Sequence, residues 1–167
     1  MTMKKLSILL ALILCCGMAS AQTISNSAKI MSFCGVPFGI DTEEFDRRVS
    51  TDELCDSIAR MVGADKCSIM KSNVTLRVKP KIACTLEVTI GDEYGVWVLY
   101  GLDLLKNMLT IKYGNYQEFT DYKGRKMYVW KLSYGEVSLY RSSENAVIHY
   151  FDYNALKKAF PSLLKML

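Results

Sequence analysis

Between Ile82 and Ile90 the chain alternates with period two: Ile82, Cys84, Leu86, Val88 and Ile90 are apolar, and Ala83, Thr85, Glu87 and Thr89 stand between them. Side chains two apart share a face only in a strand. This stretch therefore predicts a β-strand with one face buried and one face wet. A single strand cannot bury that face alone. The chain must supply neighbouring strands and a layer to cover them, and the rest of the pattern shows what that layer is.

Helical periods flank the strand. Asp41 with Glu44 three residues on has the form of a capping box, opening a helix over Thr42–Val49. Thr51 caps a second helix or continues the first. Leu54, Cys55, Ile58, Met61 and Val62 share one face of it, and Gly63 is its stop. A first strand is expected at Ile30–Phe33, ahead of the turn-rich Cys34–Gly39, and another where Val74, Leu76 and Val78 alternate before Pro80. Gly91–Gly95 reads as a turn into a strand over Val96–Tyr100. Leu102, Leu105, Met108 and Leu109 then mark a helix ended by Gly114. Met127–Leu132, Val137–Tyr140 and Ala146–Asp152 form a meander, and Asn154 caps a last helix, Ala155–Phe160, before Pro161. The fold expected is α+β: two helix-then-antiparallel-meander halves, with the helices packed on one face of an antiparallel sheet.

The N-terminus belongs to a different category. Lys4 and Lys5 precede an apolar run, Leu6–Leu14, broken only by Ser7, and Ala19-Ser20-Ala21 has the small residues that a signal peptidase accepts. Residues 1–21 are expected to be a secretory signal, 22–29 a flexible leader and 30–167 a single α+β domain. The apolar run is shorter than the ~20 residues of a membrane-spanning helix, so no transmembrane span is expected in the mature chain. Cys15 and Cys16 raise a lipid-anchored alternative, but each lacks the small residue that normally precedes a lipidated cysteine. Free export, to the periplasm or beyond the cell, is the preferred reading. Cleavage after Ala21 leaves 146 residues with 19 basic and 17 acidic side chains. That balance has no nucleic-acid footprint.

Export also discards Cys15 and Cys16, leaving Cys34, Cys55, Cys67 and Cys84. An even number in an oxidising compartment permits two disulfides in three pairings. Cys55–Cys67 is the most local, tying the second helix to the segment after it. No CxxC spacing occurs, which argues against zinc and against thioredoxin-type chemistry.

Catalytic signatures are sparse. His149 is the only histidine. It could serve as base to a Cys34 nucleophile in an exported thiol hydrolase, although a lone strand histidine among tyrosines is ordinarily a packed residue. Asp41, Glu43, Glu44 and Asp46 fit a helix start, where the macrodipole favours acids, better than a carboxylate pair or a calcium loop. Gly35, Pro37 and Gly39 match no phosphate-loop pattern. No catalytic, cofactor-binding or metal residue is assigned, and no cofactor is implied. The aromatic side chains of the last third carry more information. Trp130, Tyr140, His149, Phe151 and Tyr153 are expected either to fill an aromatic-rich core or to form an interaction face for a protein or glycan, since tyrosine and tryptophan are favoured at interfaces.

The segments FCGVPFGIDTEEF (33–45), LLKNMLTIKYG (104–114), YVWKLSYGEVSLY (128–140) and VIHYFDYNALKK (147–158) resemble a style of small exported protein from Bacteroidetes-type bacteria. The architecture is also similar to small envelope modules of the beta-lactamase-inhibitor-like and outer-membrane-assembly-lipoprotein-like kinds. The resemblance implies an exported α+β module and carries no catalytic residue with it. The expected function is a non-enzymatic binding or interaction module with a protein or glycan partner in the envelope or outside the cell. The alternatives are the Cys34–His149 hydrolase and an envelope structural subunit.

Overall fold

The computed structural model describes residues 30–49, 52–70 and 80–162. The signal and leader segments, the Thr51 cap, the Val74–Val78 alternation and most of the apolar C-terminal tail lie outside the described residues. The described helices are α1 (Thr42–Val49), α2 (Asp52–Val62), α3 (Val98–Tyr113) and α4 (Tyr153–Ala159). None is long and apolar enough to cross a membrane.

The strands form two sheets. Ser32–Phe33 (β1) and Val36–Pro37 (β2) make a small hairpin. β3 (Lys66–Met70), β4 (Thr85–Gly91), β5 (Gln117–Thr120), β6 (Lys126–Leu132), β7 (Gly135–Ser142) and β8 (Asn145–Asp152) make a six-stranded sheet in the order β3-β4-β8-β7-β6-β5. Every neighbouring pair is antiparallel. The two halves of the chain thus share one sheet, joined where β4 pairs with β8 and Val88 lies opposite Ile148.

The period-two pattern of β4 has the expected consequence on one face only; on the face expected to be wet, Thr85 is buried and Glu87 and Thr89 are half-buried. Leu86, Val88 and Ile90 are at most 1 % exposed. Register places Tyr150, Ile148 and Ala146 opposite them on the same face, followed on β7 by Val137 and Leu139 and on β6 by Trp130. Helices α2 and α3 supply the covering layer: α2 packs on β3, and α3 crosses β6, β7 and β8. Ile58, Val62, Leu105 and Leu109 point into the resulting core. Trp130, fully buried, donates its indole N–H to the Gly114 carbonyl (3.0 Å), which ties the strand to the end of α3.

Several boundaries differ from expectation. The first strand is half of a hairpin, because Cys34 (φ 46°) and Gly35 (φ 79°) both take left-handed conformations that reverse the chain in two residues. β4 begins at Thr85, and Ile82 makes only an isolated bridge to Asp41. Asp41 does cap α1, its Oδ1 accepting from the Glu43 and Glu44 amides (2.9 and 3.2 Å), but the Glu44 carboxylate lies beside Arg48 (3.6 Å). The final helix is capped by Asp152, not Asn154: Asp152 Oδ1 accepts from the Ala155 amide (2.7 Å) and Oδ2 from the Met31 amide (2.6 Å). One buried carboxylate thereby holds the N-terminal hairpin and α4 to the end of β8.

The largest correction concerns Val96–Tyr100, which is not a strand. Asp92 Oδ2 accepts from the Trp97 amide (2.7 Å), and Val98 opens α3. The Trp97 indole then lies over Gly101 and donates to the Val62 carbonyl (2.9 Å) at the end of α2. β3 and β5 were not anticipated. β5 is exposed along its whole length, so it carries no alternation to read.

Candidate functional site

The sheet has a second face that α2 and α3 do not cover. Residues between the core positions point there: Glu87 on β4, Val147, His149 and Phe151 on β8, and Ser138 and Tyr140 on β7. A row of rings runs along β8 into α4. His149 and Phe151 are 6.3 Å apart at 64°, and Phe151 and Tyr153 are 5.8 Å apart at 69°, both edge-to-face. Tyr153 donates to Glu136 Oε2 (3.4 Å), and the Arg125 guanidinium sits 4.8 Å from the centre of the Tyr140 ring. Tyr140, His149, Phe151 and Tyr153 thus share this face, all half-buried. Trp130 does not join them; it projects into the core on the other side.

Register sets Glu87 and Ser138 on either side of His149, a serine, an imidazole and a carboxylate in a line across three strands. Burial dominates the electrostatics of this row. Burial pushes the His149 pKa below its ordinary 6.5, the direction opposite to what a neighbouring carboxylate would impose. Burial likewise pushes Glu87 above its ordinary 4.5. Each group is moved towards its neutral form, and Ser138 is only 4 % exposed. The centre of the face therefore sets a half-buried carboxylate and imidazole among rings.

Cys34 lies elsewhere. It occupies the turn of the β1–β2 hairpin, on the helix side near Tyr150, while His149 points to the opposite face of the same strand. The structure does not bring this thiol and imidazole together. The Cys55 and Cys67 thiols do meet, across the contact between α2 and β3. Burial first, then the hydrogen bond with Cys55, pushes the Cys67 pKa up to about 12. None of the four described cysteines is in a disulfide. Among the described residues no group of three or more His, Cys, Asp or Glu side chains is disposed to hold a metal ion.

Sequence reasoning missed a second surface. Tyr94, Val96, Leu99 and Tyr100 are 81, 55, 56 and 76 % exposed, clustered at the entry to α3. Leu99 and Tyr100 lie off the helix face that buries Val98, Leu105 and Leu109. The Asp103–Lys106 ion pair (2.6 Å) gives the patch a polar border one turn on. Running the helical period of Leu102–Leu109 back to residue 98 would have exposed these side chains; reading the span as a strand concealed them.

No family model, curated protein or solved structure matches the chain.

Proposed function

We propose that this protein is an exported, non-enzymatic binding module that engages a protein or glycan partner in the periplasm or outside the cell. The observation that carries this reading is the cluster of Tyr94, Val96, Leu99 and Tyr100, four large apolar side chains more than half exposed within seven residues. Clustered exposed apolar side chains rimmed by charge mark interaction surfaces in proteins that are otherwise well packed. Aromatic anchors contribute most of the binding free energy at such surfaces. The half-buried rings of Tyr140, Phe151 and Tyr153 offer a second, shallower surface. Export also favours a disulfide between Cys55 and Cys67, the two thiols already in contact.

The test is capture from envelope and culture fractions, and from a panel of surface glycans, by the wild type and two variants. Leu99→Asp with Tyr100→Ser should lose a partner that the wild type retains, by tenfold or more in affinity. Phe151→Ser should retain it. Loss with Phe151→Ser alone would move the contact to the helix-free face. No partner for any variant, with a defined homo-oligomer by light scattering, would favour the structural subunit instead.

A further inference from the structure

Helices α2 and α3 do not close completely over the sheet. Between them lies an apolar cavity of about 160 Å³ that opens to solvent. Val88 and Ile148 form its floor, and Ile58, Leu105 and Leu109 form its walls. Met61 and Met108, both half-exposed, stand at the mouth with Lys112, which is exposed and is the one charged residue in the lining among the described residues. Protein interiors are close-packed, and voids larger than a water molecule are few. A cavity against the main core leaves lining atoms without partners on one side, so its retention points to something that fills it. An apolar cavity of about 150 Å³ stays dry and admits benzene, so this one takes a body of about six carbons. The paired methionines are flexible and polarisable, suited to closing around varied apolar shapes.

We infer that the cavity between α2 and α3 is a binding site for a short acyl carboxylate, its chain lying against Val88 and Ile148 and its carboxylate paired with the Lys112 ammonium. The lining is apolar apart from Tyr150, Cys34 and Lys112, so a ligand with several polar groups would leave most of them without a hydrogen-bond partner there. The Lys112 ammonium at the mouth selects an anion over a neutral or cationic head group. The site is separate from the surface at the entry to α3, so it stands or falls independently of the proposed partner contact.

Titration of the purified protein with butanoate, hexanoate and octanoate, followed by methyl NMR and calorimetry, tests this. The Ile58, Val88 and Ile148 methyl signals should move. Affinity should rise about fourfold per added CH₂ and level off once about six carbons fill the cavity. Lys112→Gln should weaken carboxylates by up to about fivefold and leave hexanol unchanged. Met108→Trp, which plugs the mouth, should abolish binding of the whole series. The wild-type shift pattern stands on its own should that variant fold poorly. Shifts confined to the Tyr94–Tyr100 surface, an affinity independent of chain length, or hexanol binding as tightly as hexanoate would overturn the inference.

Discussion

Gly101 offers a substitution whose sign depends on one tertiary contact. In an ordinary helix interior, Gly→Ala stabilises by about 1 kcal/mol. At Gly101 a Cβ would land inside the Trp97 indole, which packs on this glycine and donates to the Val62 carbonyl. Gly101→Ala must swing that ring away. The hydrogen bond is worth about 1 kcal/mol. A tryptophan buries up to 150–250 Å²; about half of that at ~25 cal/mol per Å² is about 2–3 kcal/mol. The losses of roughly 3–4 kcal/mol exceed the helical gain, so Gly101→Ala should destabilise by about 2–3 kcal/mol. At 2–4 °C per kcal/mol for a chain of this size, Tm should fall by about 5–10 °C. Urea unfolding of the wild type, both single variants and Trp97→Ala/Gly101→Ala closes a double-mutant cycle. In the Trp97→Ala background, Gly101→Ala should stabilise by about 1 kcal/mol. A gain in the wild type, or the same loss in both backgrounds, would refute the reasoning. The same indole joins the start of α3 to the end of α2, so Gly101→Ala should also loosen the cavity between them.

Three further outcomes can be checked directly. With the folded pKa of His149 held below 6.5 by burial, the unfolded chain takes up the proton first as pH falls; stability is full above 6.5 and declines as acid passes through that value, and His149→Gln should flatten this slope in urea midpoints measured against pH. Glu87 acts in the opposite sense, its raised pKa penalising the fold at neutral pH, so Glu87→Gln should raise the neutral midpoint while leaving the most acidic one unchanged. In an oxidising buffer the chain should lose two hydrogens, and peptide mapping should find Cys55 joined to Cys67, with a gain of about 3 kcal/mol from closing a loop of this length; the reaction should accelerate with alkali, since one of the two thiols must ionise to attack and burial disfavours the Cys67 thiolate. A bridge to Cys34, or equal rates at all pH values, would contradict the Cys55–Cys67 contact.

Local patterns were legible wherever apolar residues recur at an element's own period on the side that meets the core. The Leu86–Val88–Ile90 face, the α2 stripe ending at Gly63 and the hairpin series of β6, β7 and β8 were all readable for that reason. Asp41 was readable because its capping bonds reach only two and three residues along the chain. Where partners lie far apart in sequence, the pattern was silent or misleading. Trp97 within an apolar run looks like a strand residue until Val62 and Gly101 are known to be beneath it. Asn154 looks like a cap until Asp152 is seen to accept from Ala155 and from Met31, 121 residues away. The aromatic residues showed the same limit: composition grouped Trp130 with Phe151, and only register sent one into the core and the other to the open face.

The sequence by itself determined the α+β class and the core-facing side of β4, α2 and the β6–β8 series, because both follow from periodicity within a few residues. It also carried the expectation of export, in the charged, apolar and small-residue order of its first 21 positions. Tertiary structure decided the rest. It chose the β4–β8 pairing that fuses two halves into one sheet, it set Cys34 and His149 on opposite sides of that sheet, and it brought Cys55 to Cys67. It left Tyr94, Val96, Leu99 and Tyr100 in solvent and an apolar cavity between α2 and α3. Side-chain period fixes which face of an element is apolar, but not which distant element covers it or how completely, and the surfaces and cavities that bind partners are what that covering leaves open.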